Sequence, residues 1–593
     1  MAEQVAGWID VPVGQHAGKW ASRGRCRRIL LVVHNVTSAT RLLDIIPLFR
    51  GDLRTQLLAT CTGSSPFKAG VTDLLASVGI PVLPWEQART TSVDLAISAS
   101  FGGELSLFSS KLAVLSHGAG YNKILRTDGR TDGRTDGRTD GRTDGRTDGR
   151  TDGRTDGVFG LSAEWLLTDG APLARAMVLS HPEQFERLHE ACPEALPTAV
   201  LGGDPCFDRI LAAIPHRNRF RRALGVRSGQ RLVVLNSTWN PESLFGDGGA
   251  DDPLPWLLPR LAAELPADEY RVVVVLHPNI WHGHGPGQVR LWLDRAERAG
   301  VTLINPLEGW RQAVIAADAV IGDFGSVSYY AAALGAPVLL GAAPTDLLGP
   351  TSPVAAFVAR TPRLVLHSAL LPQLERLIDE HQPLAGPDSP RRLTTAVPGE
   401  AAGLLRTLFY GIMDLSEPDD PALLNPLPLP PFQPPVRTAP LRVLTRLRPT
   451  SEEVTLLRVG DTRQEPCATG TGHLAVHEDT LDQGVLSLAD VILRHGNTDD
   501  PRIGAPREWA ASTLARFPAC SLAVFIPGVD TCEALFRTGD FVRLHSETLD
   551  PAAAASALLA RVEAGRAADR VSVRELAVRT GTTVHRVTIT HVP

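Results

Sequence analysis

Short apolar runs separated by longer amphipathic stretches recur through the first four hundred residues. In a first block they are Ile29 to Val33, Leu57 to Ala59, Pro81 to Leu83, Leu95 to Ile97, Leu112 to Leu115, Trp165 to Leu167 and Ala199 to Leu201. Runs this short and apolar throughout, rather than alternating with polar positions, predict strands buried on both faces. The helix-like segments between them supply the cover, so a parallel sheet is expected. A second block starts at Arg231 and repeats the pattern at Leu232 to Leu235, Val272 to Leu276, Val301 to Ile304, Ala319 to Ile321, Val338 to Leu340 and Leu364 to Leu366. It closes with a helical stretch, Glu400 to Met413. Residues 440 to 593 read differently: runs such as Leu522 to Ile526 and Val584 to Ile589 accompany an Ala-rich helix at Pro551 to Ala564.

This pattern divides the chain into an N-terminal Rossmann-like domain (1–205), a second Rossmann-like domain (206–413), a Pro-rich linker (414–439) and a smaller C-terminal α+β or α/β domain (440–593). The linker carries Pro426, Pro428, Pro430, Pro431, Pro434 and Pro435 and is expected to be extended and poorly packed. RTDG is repeated eight times over 126–157. With no apolar residue to bury and its Arg and Asp cancelling, the array predicts a disordered or turn-rich surface loop inside the first domain. It lacks the nonapeptide pattern of calcium-binding rolls.

The composition narrows the function classes. A 43% hydrophobic content and a formal net charge of -6 describe a globular protein with no charge excess for nucleic acid. No run reaches the roughly 20 apolar residues that span a bilayer, and the first residues lack a signal pattern, so a cytoplasmic location is expected. The basic segment His216 to Arg222 reads first as a solvated helix face and second as a peripheral contact with an anionic membrane at its inner surface. Seven cysteines, none in a CxxC pair, predict reduced thiols.

Candidate chemistry lies where each apolar run ends, because ligands of parallel sheets bind beyond the carboxyl ends of the strands. In the first domain that rule selects Asn35 and Thr37, then Ser116-His117-Gly118-Ala119-Gly120. In the second it selects Asn236 and Thr238, then His277, and then Asp323, Gly325 and Ser326. No GxGxxG follows the first strand, so a dinucleotide cofactor is not expected. Gly322-Asp323-Phe324-Gly325 leads into a helix whose first amides are a natural seat for phosphate. His277, His282 and His284 fit no common zinc spacing, and Asp247 to Asp252 lacks the ligand spacing of a calcium loop, so no metal is expected.

Two stretches carry a resemblance. VVVVLHPNIW at 272–281 and ADAVIGDFGSVSYYAAALGAPVLL at 317–340 resemble the donor half of GT-B proteins, most closely the CDP-glycerol glycerophosphotransferases of teichoic-acid synthesis. His117-Gly118 with Lys123 is similar to that family's acceptor motif. The resemblance covers roughly residues 27–410 and implies a GT-B-like fold with a cleft, a nucleotide-diphosphate donor and a hydroxyl acceptor. It also implies His117 as the base, His277 with the Gly325 and Ser326 amides on the diphosphate, and no cofactor. The chain departs from the motif in having Gly325 in place of a serine and Tyr329-Tyr330 near an expected acidic residue. The same stretch is similar to non-hydrolysing UDP-N-acetylglucosamine 2-epimerases, whose paired glutamates are replaced by those tyrosines.

Two functions follow from this reading. One is a transferase moving a glycerophosphate or glycosyl group to an acceptor hydroxyl in envelope-polymer or glycoconjugate synthesis. The other is a non-catalytic scaffold of the same shape that binds a nucleotide or a protein partner.

Overall fold

The computed structural model describes residues 7–14, 17–65, 69–116, 118–124, 157–249, 251–448, 453–460, 471–565 and 574–592. His117 and positions 126–156 of the RTDG array lie outside the described residues.

The first sheet contains β1 (Arg27–Val33), β2 (Thr55–Cys61), β3 (Val82–Leu83), β4 (Leu95–Ser98), β5 (Leu112–Val114), β6 (Ala176–Leu179) and β7 (Ala199–Leu201). All are parallel, in the order β3-β2-β1-β4-β5-β6-β7. The direction of winding reverses between β1 and β4, which opens a crevice at the carboxyl end of β1. There α1 (Val36–Ile45) begins, capped by the Asn35 side chain and by Ser38 in a reciprocal pair of hydrogen bonds. The expected strand at Trp165 to Leu167 is instead the end of a short helix followed by a small hairpin. The missed β6, with two apolar residues on either side of the sheet, takes its place.

The second sheet repeats the plan at smaller size: β8 (Arg231–Ser237), β9 (Tyr270–Leu276), β10 (Thr302–Leu303), β11 (Ala319–Gly322) and β12 (Val338–Leu340), ordered β10-β9-β8-β11-β12 and parallel throughout. Leu364 to Leu366 adds no strand; only Arg363 bridges to Leu340. Five helices matter to the site or its supports: α2 (Pro205–Ala213), α3 (Arg217–Ala223), α4 (Pro278–His284), α5 (Trp310–Ala316) and α6 (Ser326–Ala333). In α3, Arg217 and Arg221 do more than face solvent. Both donate to Asp318 and to the last carbonyls of α5, so cations sit at the negative end of a helix.

Helix α7 (Ala401–Ile412), assigned by sequence to the second domain, crosses back and packs in the first. Leu405, Phe409 and Tyr410 join Ile29, Leu31 and Val33 in one core. Two Rossmann-like domains facing across a cleft, with the last helix returned to the first, make a GT-B-like arrangement. The linker is extended, but it is not loose throughout. Leu427 enters the core of the second domain, and the fully buried Arg271 donates to the Gln433 carbonyl at 3.2 Å.

The C-terminal domain is a closed barrel of β13 (Leu441–Leu447), β14 (Val454–Val459), β15 (Thr471–His477), β16 (Val491–His495), β17 (Leu522–Ile526), β18 (Thr531–Phe536), β19 (Phe541–His545), β20 (Glu575–Thr580) and β21 (Thr583–His591). Helix α8 (Pro506–Arg516) covers its outside, and α9 (Pro551–Ala564) packs against the inward residues of strands all round it. Residues 551–560 of α9 are all buried. Alanine lines this helix because a lumen ringed by Val and Leu leaves room for little more than backbone and Cβ.

Candidate functional site

A cavity of about 290 Å³ lies between the two Rossmann-like domains, where the carboxyl ends of β1 and β8 face each other. Of the residues singled out in the sequence, Asn35, Thr37, Lys123, Asn236, Thr238, His277, Gly325 and Ser326 line it. Asp323 does not. Its fully buried carboxylate accepts from the Thr238 amide (2.8 Å), the Leu244 amide (3.1 Å), the Ser237 hydroxyl (3.1 Å) and the Gly325 amide (2.9 Å). Asp323 thus shapes the floor from below. Burial pushes its carboxyl upward, and those four donors pull it back. The Gly325 amide, expected to face a diphosphate, is already given to Asp323. The uncapped first turn of α6 begins at Ser326, beside the cavity.

The two domains meet at several of these residues. The His277 ring caps α4 by accepting the Asn279 amide at Nδ1 (3.1 Å), so its proton sits on Nε2. From there it donates to Thr37 Oγ of the opposite domain, 3.3 Å away. The Ala119 amide donates to Ser326 Oγ across the cleft at 3.3 Å. Gly118 permits this approach, since a Cβ there would lie 2.8 Å from that hydroxyl. Residues just beyond tie the domains by backbone: the Ile124 amide donates to the Leu347 carbonyl (3.0 Å), and the Gly349 amide to the Asn122 carbonyl (2.8 Å).

Lys123, placed by sequence on the acceptor side, reaches over the second domain. Its Nζ lies 5.9 Å from the Trp239 ring centre and 5.5 Å from that of Phe324. Sequence reasoning missed Arg41, which also lines the cavity. Its guanidinium sits 5.8 Å from the Trp310 ring and 5.7 Å from the Tyr330 ring. The signal was present, since Arg41 is four residues after Thr37 and a helix puts such positions on one face.

The remaining lining is neutral. Hydroxyls and amides from Ser65, Ser100, Ser116 and Asn240 surround the two cations and the histidine. No Asp or Glu is among the described lining residues. The Tyr121 hydroxyl, Asn122 Oδ1 and Asn240 Oδ1 belong to lining residues and are buried without a hydrogen-bond partner among the described residues. Among the described residues no cluster of His, Cys, Asp or Glu could hold a metal ion. His282 instead packs its ring against Gly70 at the domain boundary. No helix of the described residues is long and apolar enough to cross a membrane.

No protein-family model and no curated protein matches this sequence. Among solved structures, the fold is similar to the wall teichoic acid polymerase TagF, at 13% identity over 65% of this chain and 89% of that one, with a TM-score of 0.39. It is similar to UDP-GlcNAc 2-epimerase from Neisseria meningitidis bound to UDP-GlcNAc, at 13% identity over 65% of this chain and 99% of that one, with a TM-score of 0.37. HepE of Anabaena in complex with UDP-glucose is a third, at 13% identity over 65% and 98%, with a TM-score of 0.33.

Proposed function

We propose that the cleft binds a nucleotide-diphosphate donor and transfers its glycerophosphate or glycosyl group to an acceptor hydroxyl. The observation that carries this reading is the charge of the cavity. Lys123, Arg41 and His277 line a space with no carboxylate among its described lining residues. A site built of donors and cations in a cleft selects a polyanion, and the same groups offset the charge that grows on a leaving diphosphate. The protein would supply that offset from its own side chains, with no cofactor.

The roles divide by domain. His277, fixed as the Nε2–H tautomer, cannot take a proton at that nitrogen; its N–H, turned to Thr37 Oγ, would swing to the diphosphate as a neutral donor when the nucleotide binds. The base would then be His117, which the sequence motif assigns to the acceptor hydroxyl. Ser326 and the first-turn amides of α6 would hold a phosphoryl oxygen, and Lys123, between the backbone ties of Asn122 and Ile124 to the second domain, would lie over the donor.

Calorimetric titration with CDP-glycerol, UDP-sugars and GDP-sugars tests the reading. Binding of one nucleotide class in the micromolar range, weakened about tenfold or more by Lys123→Gln and by His277→Ala, is the expected result. Failure of all of them to bind would sink it. Binding with no transfer to any hydroxyl acceptor would instead favour the non-catalytic scaffold. The backbone and side-chain hydrogen bonds that hold the domains together also suit that reading.

A further inference from the structure

Three polar atoms of the cavity's lining residues have no hydrogen-bond partner among the described residues: the Tyr121 hydroxyl and Asn122 Oδ1 from the first domain, and Asn240 Oδ1 from the second. Tyr121 and Asn240 are only 6% and 5% exposed, so bulk solvent does not compensate them. We propose that these three side chains form a neutral subsite for the hydroxyls of the transferred group, which is a polyol or sugar with no further anionic group at this position. This rests on the transfer reading above and adds to it the residues that select what is transferred.

Hydrogen bonds fix what each atom can offer. Asn240 Nδ2 donates to the Glu242 carboxylate at 2.8 Å, and a carboxylate only accepts, so the amide cannot turn over. Asn122 Nδ2 donates to the Ala119 carbonyl at 2.8 Å, with the same consequence. Both residues are left with a carbonyl oxygen, which takes a hydrogen and repels a carboxylate or phosphate oxygen. Burial pushes the Tyr121 phenol upward, so it stays neutral and keeps its own hydrogen to give. Two acceptors and one hydroxyl suit neighbouring hydroxyls rather than an anion.

The three residues come from the segments where the domains touch. Lys123 Nζ lies 5.9 Å from the Trp239 ring centre, so their chain neighbours Asn122 and Asn240 flank one contact. The Asn122 carbonyl accepts the Gly349 amide (2.8 Å), and the Tyr121 carbonyl accepts from the Arg187 guanidinium. The Tyr121 ring packs on Phe101, 6.3 Å between centres, and on Gly160, where a Cβ would lie 2.5 Å from it. A group joined to a diphosphate at Ser326 and bound for an acceptor on the first domain has to pass between these two walls.

The experiment is calorimetric titration of the full chain with three pairs: CDP-glycerol and CDP, UDP-glucose and UDP, GDP-mannose and GDP. The quantity read is the affinity for the conjugate divided by that for its bare diphosphate. For the pair that binds, Tyr121→Phe should lower this ratio about threefold or more, and Asn240→Ala should do the same. The thermal midpoint of Tyr121→Phe should match that of wild type, because the hydroxyl it removes has no partner among the described residues. A ratio that neither variant moves overturns the subsite and leaves nucleotide binding in the cleft standing. So does a lowered midpoint in Tyr121→Phe with the ratio unchanged, which is the sign of a structural hydroxyl. Diphosphates that bind while every conjugate fails to bind overturn it as well. If neither conjugates nor diphosphates bind, the transfer reading and the subsite fall together.

Discussion

Asp323 shows how a residue beside a site can matter without touching its ligand. One buried carboxylate organises the end of β8, the following loop and the start of α6 by accepting three amides and a hydroxyl. Asp323→Ala would leave those amides buried and unsatisfied. It should cost roughly 3 kcal/mol or more in urea unfolding. Nucleotide affinity, measured on the fraction still folded, should fall with it. A merely surface role would leave both unchanged. His277 carries the complementary lesson: a backbone amide at Nδ1 decides what the ring can do at Nε2. His277 and Ser326 were legible from sequence because each follows an apolar run. Arg41 was not, because strand-end reasoning stops at the first turn of a helix.

Among the elements, α9 is the clearest case of sequence foretelling a segment but not its setting. Its limits, Pro551 to Ala564, match the expected helix, and Asp550 caps it by accepting the Ala552 amide at 2.9 Å. What the sequence concealed was that the alanines mark a helix enclosed by a barrel. Ala555→Leu should therefore cost about 1–3 kcal/mol through overpacking, where an exposed Ala-rich helix would tolerate it. Ser556 is fully buried and its hydroxyl finds no partner among the described residues, so Ser556→Ala should raise stability by about 1 kcal/mol.

Strand β15 predicts a dependence on pH. Burial pushes His473 down to about 4. Burial, with the nearby His495 adding to it, pushes His477 down to about 4 as well. The folded barrel therefore binds fewer protons than the unfolded chain below the ordinary histidine value. Their contribution is complete above about pH 6.5 and is lost as the pH falls toward about 4. At pH 5 the loss should be about 2 kcal/mol for each histidine. Denaturant midpoints followed by a barrel-specific probe at pH 7.5 and pH 5 would show it, and equal midpoints would refute it.

On the scale of the whole molecule, the barrel is docked rather than tethered. Arg458, nearly fully buried, donates to both oxygens of Asp268 in the second domain at 2.6 and 2.8 Å and lies 3.3 Å from Asp550. Its carbonyl also accepts the Ala267 amide. Arg458→Ala would strand the nearly buried Asp268 carboxylate, an expected loss of about 3 kcal/mol of docking. The measurable sign is faster proteolysis in the 414–439 linker, with the nucleotide affinity of the cleft retained.

The sequence by itself determined the two parallel sheets, their strand-end polar residues and the positions of the last helices. Those features follow from local periodicity and from the rule that polar groups gather where apolar runs stop. Only the tertiary structure decided the rest. Closure of nine strands around α9, the return of α7 to the first domain and the reach of Lys123 across the cleft are long-range pairings. The charge of the cavity arises in the same way. Arg41 and His277 are separated along the chain by more than the length of a domain, and folding alone makes them one surface.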